Sequence, residues 1–389
     1  MIVMRTEYEL GDLLEYEQPT KYAVESTKYD NKYDTPVLTA GKSFILGYTD
    51  ETDGIYDNLP VIIFDDFTTA TQYVNFKFKV KSSAMKILKA NEELALTKYL
   101  YYLMQTIHCD HDTHKRYWIQ TYSKIKVAIP DIIEQQRIVT KIEELFSKLD
   151  KGIEELNKIK EQLKIYRQAV LKEAFEGSFC AKNIKPQIVR ISEVVKNDKN
   201  ALKAGPFGSS LKKEMYVKSG YKIYGQEQVI GGNENIGDYY IDEDKYKELI
   251  SCKIAPNDIL ISLVGTVGKV LILSANCKPG IINPRLIKVS LDEEKMLPKY
   301  FKYYFESGYL RSLYKQKVHG ATMDVLNMGM IKELPFPLYP ISEQEKIICE
   351  IESRLSVCDK IEQTVNESLQ KAENLRQSIL KQAFEGKLV

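Results

Sequence analysis

The chain has 389 residues, of which 44% are hydrophobic and 28% charged, and it carries a net charge of +1. That length allows two or three domains, each with its own core, and the composition excludes the disordered and fibrous classes. No uncharged apolar run approaches a membrane helix, the first ten residues lack a basic-then-apolar leader and the six cysteines show no paired spacing, so a cytoplasmic, reduced protein without membrane contact is expected.

Charge is unevenly spread: residues 1–130 carry −3, 131–180 carry −1, 181–335 carry +7 and 336–389 carry −2. Local fields rather than the total steer a polyanion, so the near-neutral sum does not exclude nucleic acid. In the first block the apolar runs 61–64 and 76–80 predict strands, and the aromatic segment 99–104 predicts a short helix. Lys77, Lys79 and Lys81 alternate with Phe76, Phe78 and Val80, giving a strand one basic and one apolar face. Ammonium groups ~6.6 Å apart suit a phosphate backbone, and lysines that blunt a sheet edge have the same pattern. His108, Cys109, His111 and His114 cluster, but the spacing completes no closed four-ligand set, so no metal is assigned. Lys115, Arg116 and Tyr117 then lead into Trp118, the only tryptophan. Cations beside aromatics suit phosphate contact with stacking, as well as the alternative of half-buried rings under snorkelling side chains.

Residues 131–180 predict one long helix. Ile142, Leu149, Leu156, Leu163 and Val170 recur every seven residues, with Leu145, Ile159 and Tyr166 on companion positions three further on. This is a heptad seam. Asp131 and Glu134 after Pro130 have the spacing of an N-terminal cap, and Gly177 stands where a C-terminal cap belongs.

In the second block, 259–263, 270–273 and 286–289 predict strands, and 300–305 predicts a second short aromatic helix. Gly265-Thr266-Val267-Gly268-Lys269 lacks the first Gly and the Ser/Thr of a phosphate loop. Asn283-Pro284-Arg285-Leu286 lacks the second Pro and the aromatic of the loop that holds a target base in amino-methyltransferases. Neither nucleotide binding nor methyl transfer by this chain is therefore expected. Ser209, Ser210, Lys212 and Lys213 follow a Gly-Pro-Phe-Gly turn, and Gln226 and Gln228 follow Gly225. Hydroxyls, amides and ammonium groups are what contacts base edges and phosphates. Thr266, Lys269 and Thr322 complete the DNA-binding candidates of this block.

Residues 336–389 repeat the helix. Residues 132–177 and 341–386 align at a fixed offset of 209 with 18 identities in 46 positions. The seam continues through Ile351, Cys358, Val365, Ala372 and Ile379, with Ile347, Ile361 and Leu375 as companions, and its smaller residues would fit beside larger ones on the first helix. Ser342 and Glu345 after Pro340 repeat the cap spacing, and Gly386 repeats the ending. Helices of roughly 40 residues, about 60 Å long, are too amphipathic to stand alone, and the simplest partner for each is the other. Glu134-Gln135 and Glu343-Gln344, near both helix starts, are candidate partner-binding residues. The chain thus reads as a tandem duplication, with blocks at 1–130 and 181–335 and helices at 131–180 and 336–389.

Taken together, this architecture resembles the specificity subunit of type I DNA restriction-modification systems. The likeness covers nearly the whole chain. It rests on Leu10-Gly11-Asp12 and Pro36-Val37-Leu38-Thr39-Ala40-Gly41 in the first block, and on Gly205-Pro206-Phe207-Gly208-Ser209, Gly225-Gln226, Asp258-Ile259-Leu260 and Gly265-Thr266 in the second, with the Ala-Phe-Glu-Gly helix endings. The resemblance implies an α/β (α+β) chain with two globular target recognition domains, joined by two long antiparallel coiled-coil helices in a pseudo-two-fold repeat. Each domain would read one half of a bipartite site in double-stranded DNA, and the helices would set the gap. Two methyltransferase (modification) subunits and two motor-nuclease (restriction) subunits are the implied partners. S-adenosylmethionine, ATP and Mg would belong to them, with no cofactor and no catalytic residue in this chain. The alternatives are a stand-alone methyltransferase or nuclease, and a structural coiled-coil adaptor without DNA contact.

Overall fold

The computed structural model describes residues 5–39, 43–107, 117–176, 179, 184–263, 268–308, 310 and 328–388. Its two compact units are Met1–Asn157 with Asn366–Val389, and Lys158–Val365. The division falls inside both long helices. Among the described residues no helix is long and apolar enough to cross a membrane.

The first unit contains, in chain order, β1 (Thr6–Glu9), α1 (Leu10–Leu13), β2 (Leu14–Glu17), β3 (Thr35–Leu38), β4 (Ile45–Thr49), β5 (Val61–Asp65), β6 (Thr71–Val74), β7 (Lys79–Val80), β8 (Met85–Ala90), α2 (Thr97–Met104), α3 (Tyr117–Gln120), β9 (Lys126–Ile129) and the start of α4 (Ile132–Phe175). The strands form three sheets: a β1-β9 pair, a four-stranded sheet β2-β8-β5-β6 and a three-stranded sheet β4-β3-β7. All pairings are antiparallel except β3 with β7. The Val-Ile-Ile-Phe run of β5 is buried along its whole length, because Ile62 and Phe64 face a core shared with α2 while Val61 and Ile63 face a second core. A continuous apolar run is what a strand covered on both faces requires, and each such side chain contributes about 1.5–3 kcal/mol.

The second unit holds the rest of α4 and β10 (Gln187–Arg190), β11 (Leu202–Ala204), β12 (Tyr221–Tyr224), α5 (Gln226–Gly231), β13 (Tyr240–Ile241), α6 (Glu243–Glu248), β14 (Ile259–Ser262), β15 (Val270–Ile272), β16 (Gly280–Ile282), β17 (Leu286–Val289), α7 (Pro298–Glu306), α8 (Met328–Lys332), β18 (Pro335–Leu338) and the start of α9 (Ile341–Phe384). Its sheets are β10-β18, β11-β17-β14-β15 and β13-β12-β16, again antiparallel apart from one pair, β12 with β16. The two blocks therefore share one strand plan, although their sequences diverge.

In each unit a half of α4 runs antiparallel to a half of α9. Asp150 pairs with Arg376 in the first unit. In the second, Arg167 pairs with Asp359 at 2.7 Å, and Glu173 pairs with Arg354 at 3.0 Å. The Asp150–Arg376 and Asp359–Arg167 bridges are one interaction repeated at the offset of 209. Of the seam residues, Ile142, Leu163, Val170, Ile351, Cys358, Val365, Ala372 and Ile379 are buried as the heptad predicts, while Leu149 and Leu156 are half-buried. The companions divide: Ile347 is buried and Leu145 half-buried, whereas Ile159, Tyr166, Ile361 and Leu375 remain 37–50% exposed, because over those stretches two helices in contact cover one stripe of each and not the wider face. Ile165 and Val357 extend this apolar exposure in the second unit.

The helix ends differ in one respect from the cap spacing. Asp131 caps α4, its Oδ1 accepting from Glu134 N at 2.8 Å. Ser342 already lies inside the first turn of α9, where the Pro340 carbonyl accepts from Glu343 N and Gln344 N at 2.9 and 3.0 Å. At the far end Gly386 adopts φ +75°, and Lys387 N bonds back to Gln382 O at 2.8 Å to satisfy a last-turn carbonyl. Gly177 lies outside the described residues.

Candidate nucleic-acid interface

In the second unit three turns meet at one end of the sheets. The chain leaving β11 turns at residues 205–210, the chain leaving β12 enters α5 at Gly225 and Gln226, and β16 turns into β17 at residues 283–285. Gly205 makes the meeting possible. Its backbone lies so close to the 283–285 turn that a Cβ would stand 1.8 Å from the Asn283 carbonyl oxygen. Gly205 N donates to Leu286 O at 3.0 Å, and Asn283 N donates to Tyr224 O at 2.8 Å, so backbone bonds tie the turns to both sheets.

This end carries Ser209, Ser210, Lys212, Lys213 and Gln226, all exposed or half-exposed, together with Phe207 at 87% exposure. Lys269, also half-exposed, closes the β14–β15 hairpin where its carbonyl accepts from Ser262 N at 3.1 Å. Gln226 joins a side-chain chain: its Nε2 donates to Ser262 Oγ at 3.1 Å, and its Oε1 accepts from Arg285 Nη1 at 3.3 Å. Gln228 corrects the expectation placed on it. Fully buried, it braces α5, with Oε1 accepting from Gly225 N at 2.7 Å and Nε2 donating to Ile236 O at 2.6 Å, so no amide group is left to meet a base.

The first unit is built differently at the corresponding strand ends. Lys86 is buried at 3.6 Å from Asp66, and its Nζ donates to Gln18 Oε1 at 2.5 Å. Gln18 Nε2 donates to Ser83 O at 3.1 Å. A cavity of about 370 Å³ opens here, lined by Gln18, Asp66, Phe67, Ser82, Ser83, Ala84 and Lys86. Phe67 is half exposed. None of Gln18, Phe67 and Lys86 stood out in the sequence. The usable signal was an exposed aromatic residue inside a polar turn, shared by Phe67 and Phe207.

The alternating lysines of this block do not form one basic face. Lys77 and Lys81 are exposed, but Lys79 is buried, 2.9 Å from Glu51 Oε2 and donating to Asp53 O. Burial pushes the Glu51 carboxyl up, but the Ser26 amide and the Lys79 ammonium outweigh it and leave the pKa lowered. The strand itself shrinks to two residues, so the period of two does not extend over 76–80. Tyr117 and Trp118 are likewise buried. Trp118 packs edge-on to Phe64 with centroids 5.4 Å apart, and Asp66 Oδ1 accepts its backbone N–H at 2.9 Å, so these rings belong to the core and offer no stacking platform. Lys115, Arg116, Thr266, Thr322 and the cluster of His108, Cys109, His111 and His114 lie outside the described residues. Among the described residues, no three His, Cys, Asp or Glu side chains are grouped to hold a metal ion.

The Glu-Gln pairs at the helix starts also have an internal role. Gln135 is fully buried: Oε1 accepts from Leu96 N at 2.9 Å, and Nε2 donates to Leu94 O at 3.0 Å and Pro130 O at 2.9 Å. Gln344 repeats every bond, with Leu297 N at 2.9 Å and Lys295 O and Tyr339 O at 2.8 Å. Glu343 is buried beside Lys346 at 2.6 Å, and Glu134 is partly covered beside Arg137 at 3.4 Å. Each glutamine pins its long helix to the chain entering α2 or α7. Lys98–Glu143 at 2.5 Å and Lys299–Glu352 at 2.7 Å reinforce the two joints. The edge-on ring pairs Tyr99–Phe384 and Tyr300–Phe175 complete the repeat.

Two blocks of one plan, each pinned to a repeated helix pair, define a duplicated reader. A model of the type I restriction modification DNA specificity domain matches residues 5–164 and again 187–371. The chain is 32% identical over 381 residues to the Type I restriction enzyme EcoR124I/EcoR124II specificity subunit of Escherichia coli, covering 95% of this chain and 90% of that one. It is 28% identical over 284 residues to the EcoKI specificity subunit of Escherichia coli strain K12, covering 69% and 59%. Among solved structures, the fold is shared with a chain of a type I R-M system described for its complex assembly and conformational transition, at TM-score 0.71, 17% identity and 99% and 98% coverage. It is shared also with the HsdS subunit of Thermoanaerobacter tengcongensis, at TM-score 0.53, 17% identity and 99% and 97% coverage. The chain belongs to the family of type I restriction-modification DNA specificity subunits.

Proposed function

We propose that each block reads one half of a two-part site in duplex DNA, and that the chain contributes recognition without catalysis. The supporting observation is that one strand plan is built twice with different side chains at the turn ends: a basic and polar set around Gln226 and Arg285, and the Gln18–Lys86–Asp66 set beside Phe67. A reader with one fold and two surfaces should read two different half-sites.

Two methyltransferase subunits dock on the helices, where Ile159, Ile165, Tyr166, Val357 and Ile361 each leave an apolar side chain exposed to further helices. Two motor-nuclease subunits complete the restriction assembly. S-adenosylmethionine, ATP and Mg are held by these partners, and the complex works in the cytoplasm on cellular DNA. Nothing favours a stand-alone enzyme or an adaptor without DNA contact.

Replacing residues 1–130 with the matching block of another family member tests the modular reading. The methylation pattern of cells carrying the hybrid should change in one half-site and keep the other half. A change in both halves would overturn it.

A further inference from the structure

We propose that Arg285 is a guanine-reading residue of the second unit, with Gln226 and Ser262 as the side chains that position it. The assignment rests on the DNA-reading function proposed above. Arg285 sits on the β16–β17 turn and is exposed, while its backbone is fixed on three sides. Its N–H donates to Asn283 Oδ1 at 2.9 Å, its carbonyl accepts from Leu263 N at 3.1 Å, and the turn packs against Gly205 without room for a Cβ. The guanidinium is aimed by one bond, Nη1 to Gln226 Oε1 at 3.3 Å, and Gln226 is itself held by Ser262 Oγ at 3.1 Å.

The chemistry of that partner matters. The arginines of the helix pair, Arg137, Arg167, Arg354 and Arg376, are all bound to carboxylates. Arg285 makes no ion pair among the described residues, and a neutral amide orients it without cancelling its charge. Among the described residues four of its five N–H donors take no partner, in the rigid fork that matches the O6 and N7 acceptors of guanine in the major groove. Lys212, Lys213 and Lys269 lie on turns at the same end of the sheets. They supply charge for phosphates, which bind a compact ammonium without needing a fork.

The test uses the full chain assembled with its methyltransferase subunits, and measures competition among duplexes carrying each base at each position of the site over a range of salt concentrations. With Arg285→Ala, preference for guanine should fall about 10- to 100-fold at one position of one half-site and stay unchanged elsewhere. Arg285→Lys should retain the salt slope yet lose the same preference, and Gln226→Glu, which pairs the guanidinium with a carboxylate, should weaken it at that position alone. A uniform loss over all duplexes with base preference intact would make Arg285 a phosphate contact and overturn the assignment. Unchanged preference in both Arg285 variants, with a two-part site still read by the wild-type complex, would also overturn the assignment but leave the reading function standing. A wild-type complex that reads no two-part site would remove that function and the assignment with it.

Discussion

At the scale of single residues, the buried glutamines show how a repeated pair of amino acids can mislead. Glu134-Gln135 and Glu343-Gln344 are visible as a repeat, and repetition alone does not separate a residue that meets a partner from one that holds the fold together. Gln135 and Gln344 each close three hydrogen bonds to backbone groups of the chain entering the helix and of the segment before it. Truncating either to Ala leaves buried backbone polar groups unpaired and should cost about 1–3 kcal/mol in chemical unfolding of the full chain. Glu134→Ala, which removes a partly covered carboxylate paired with the exposed Arg137 and leaves the backbone bonds of the joint intact, should cost about 0–1 kcal/mol. Equal losses in the two kinds of variant would contradict the pinning role. Lys79 makes a related point. Alternation locates a strand's two faces but not what covers them, and here Glu51, 28 positions earlier, arrives on the face expected to be open.

At the scale of elements, the long helices were the most legible part of the chain, because a seven-residue apolar period held from Ile142 to Val170 and again from Ile351 to Ile379 matches the turn of a packed helix and no strand or loop geometry. The seam residues lie where the period puts them. Exposure of the companion positions was not legible, since a heptad count cannot tell two helices from a larger bundle. Tyr166→Ser and Ile361→Ser address that difference. Both residues are substantially exposed, so unfolding free energy should move by no more than about 0.5 kcal/mol. Capture of the methyltransferase subunit should weaken by about tenfold or more if these side chains anchor it. Unchanged capture by the double variant would move the docking surface elsewhere. The blocks were harder to read, because their sheets join strands of two to six residues that are distant in sequence, such as β2 with β8 and β11 with β17. Short strands identify themselves locally, while their neighbours are chosen by packing.

At the scale of the whole molecule, duplication is what gives the chain its function. The same pins, bridges and ring pairs recur in both units, while the turn ends where DNA would be read are among the places where the two differ. That distribution is the reason family membership was legible from the repeat and its order, while individual contacts were not. Buried Lys79, Tyr117 and Gln228 have the same chemical types as surface readers, and Arg285 stood only in an incomplete methyltransferase motif. A chain with one fold and two turn-end surfaces should read two unlike half-sites. The decisive measurement is sequencing of the methylated adenines in the DNA of cells carrying the system, with and without this chain. The expected result is a site of two different specific halves separated by a gap of fixed length, present only when the chain is. One continuous site, or methylation that persists without the chain, would contradict this reading.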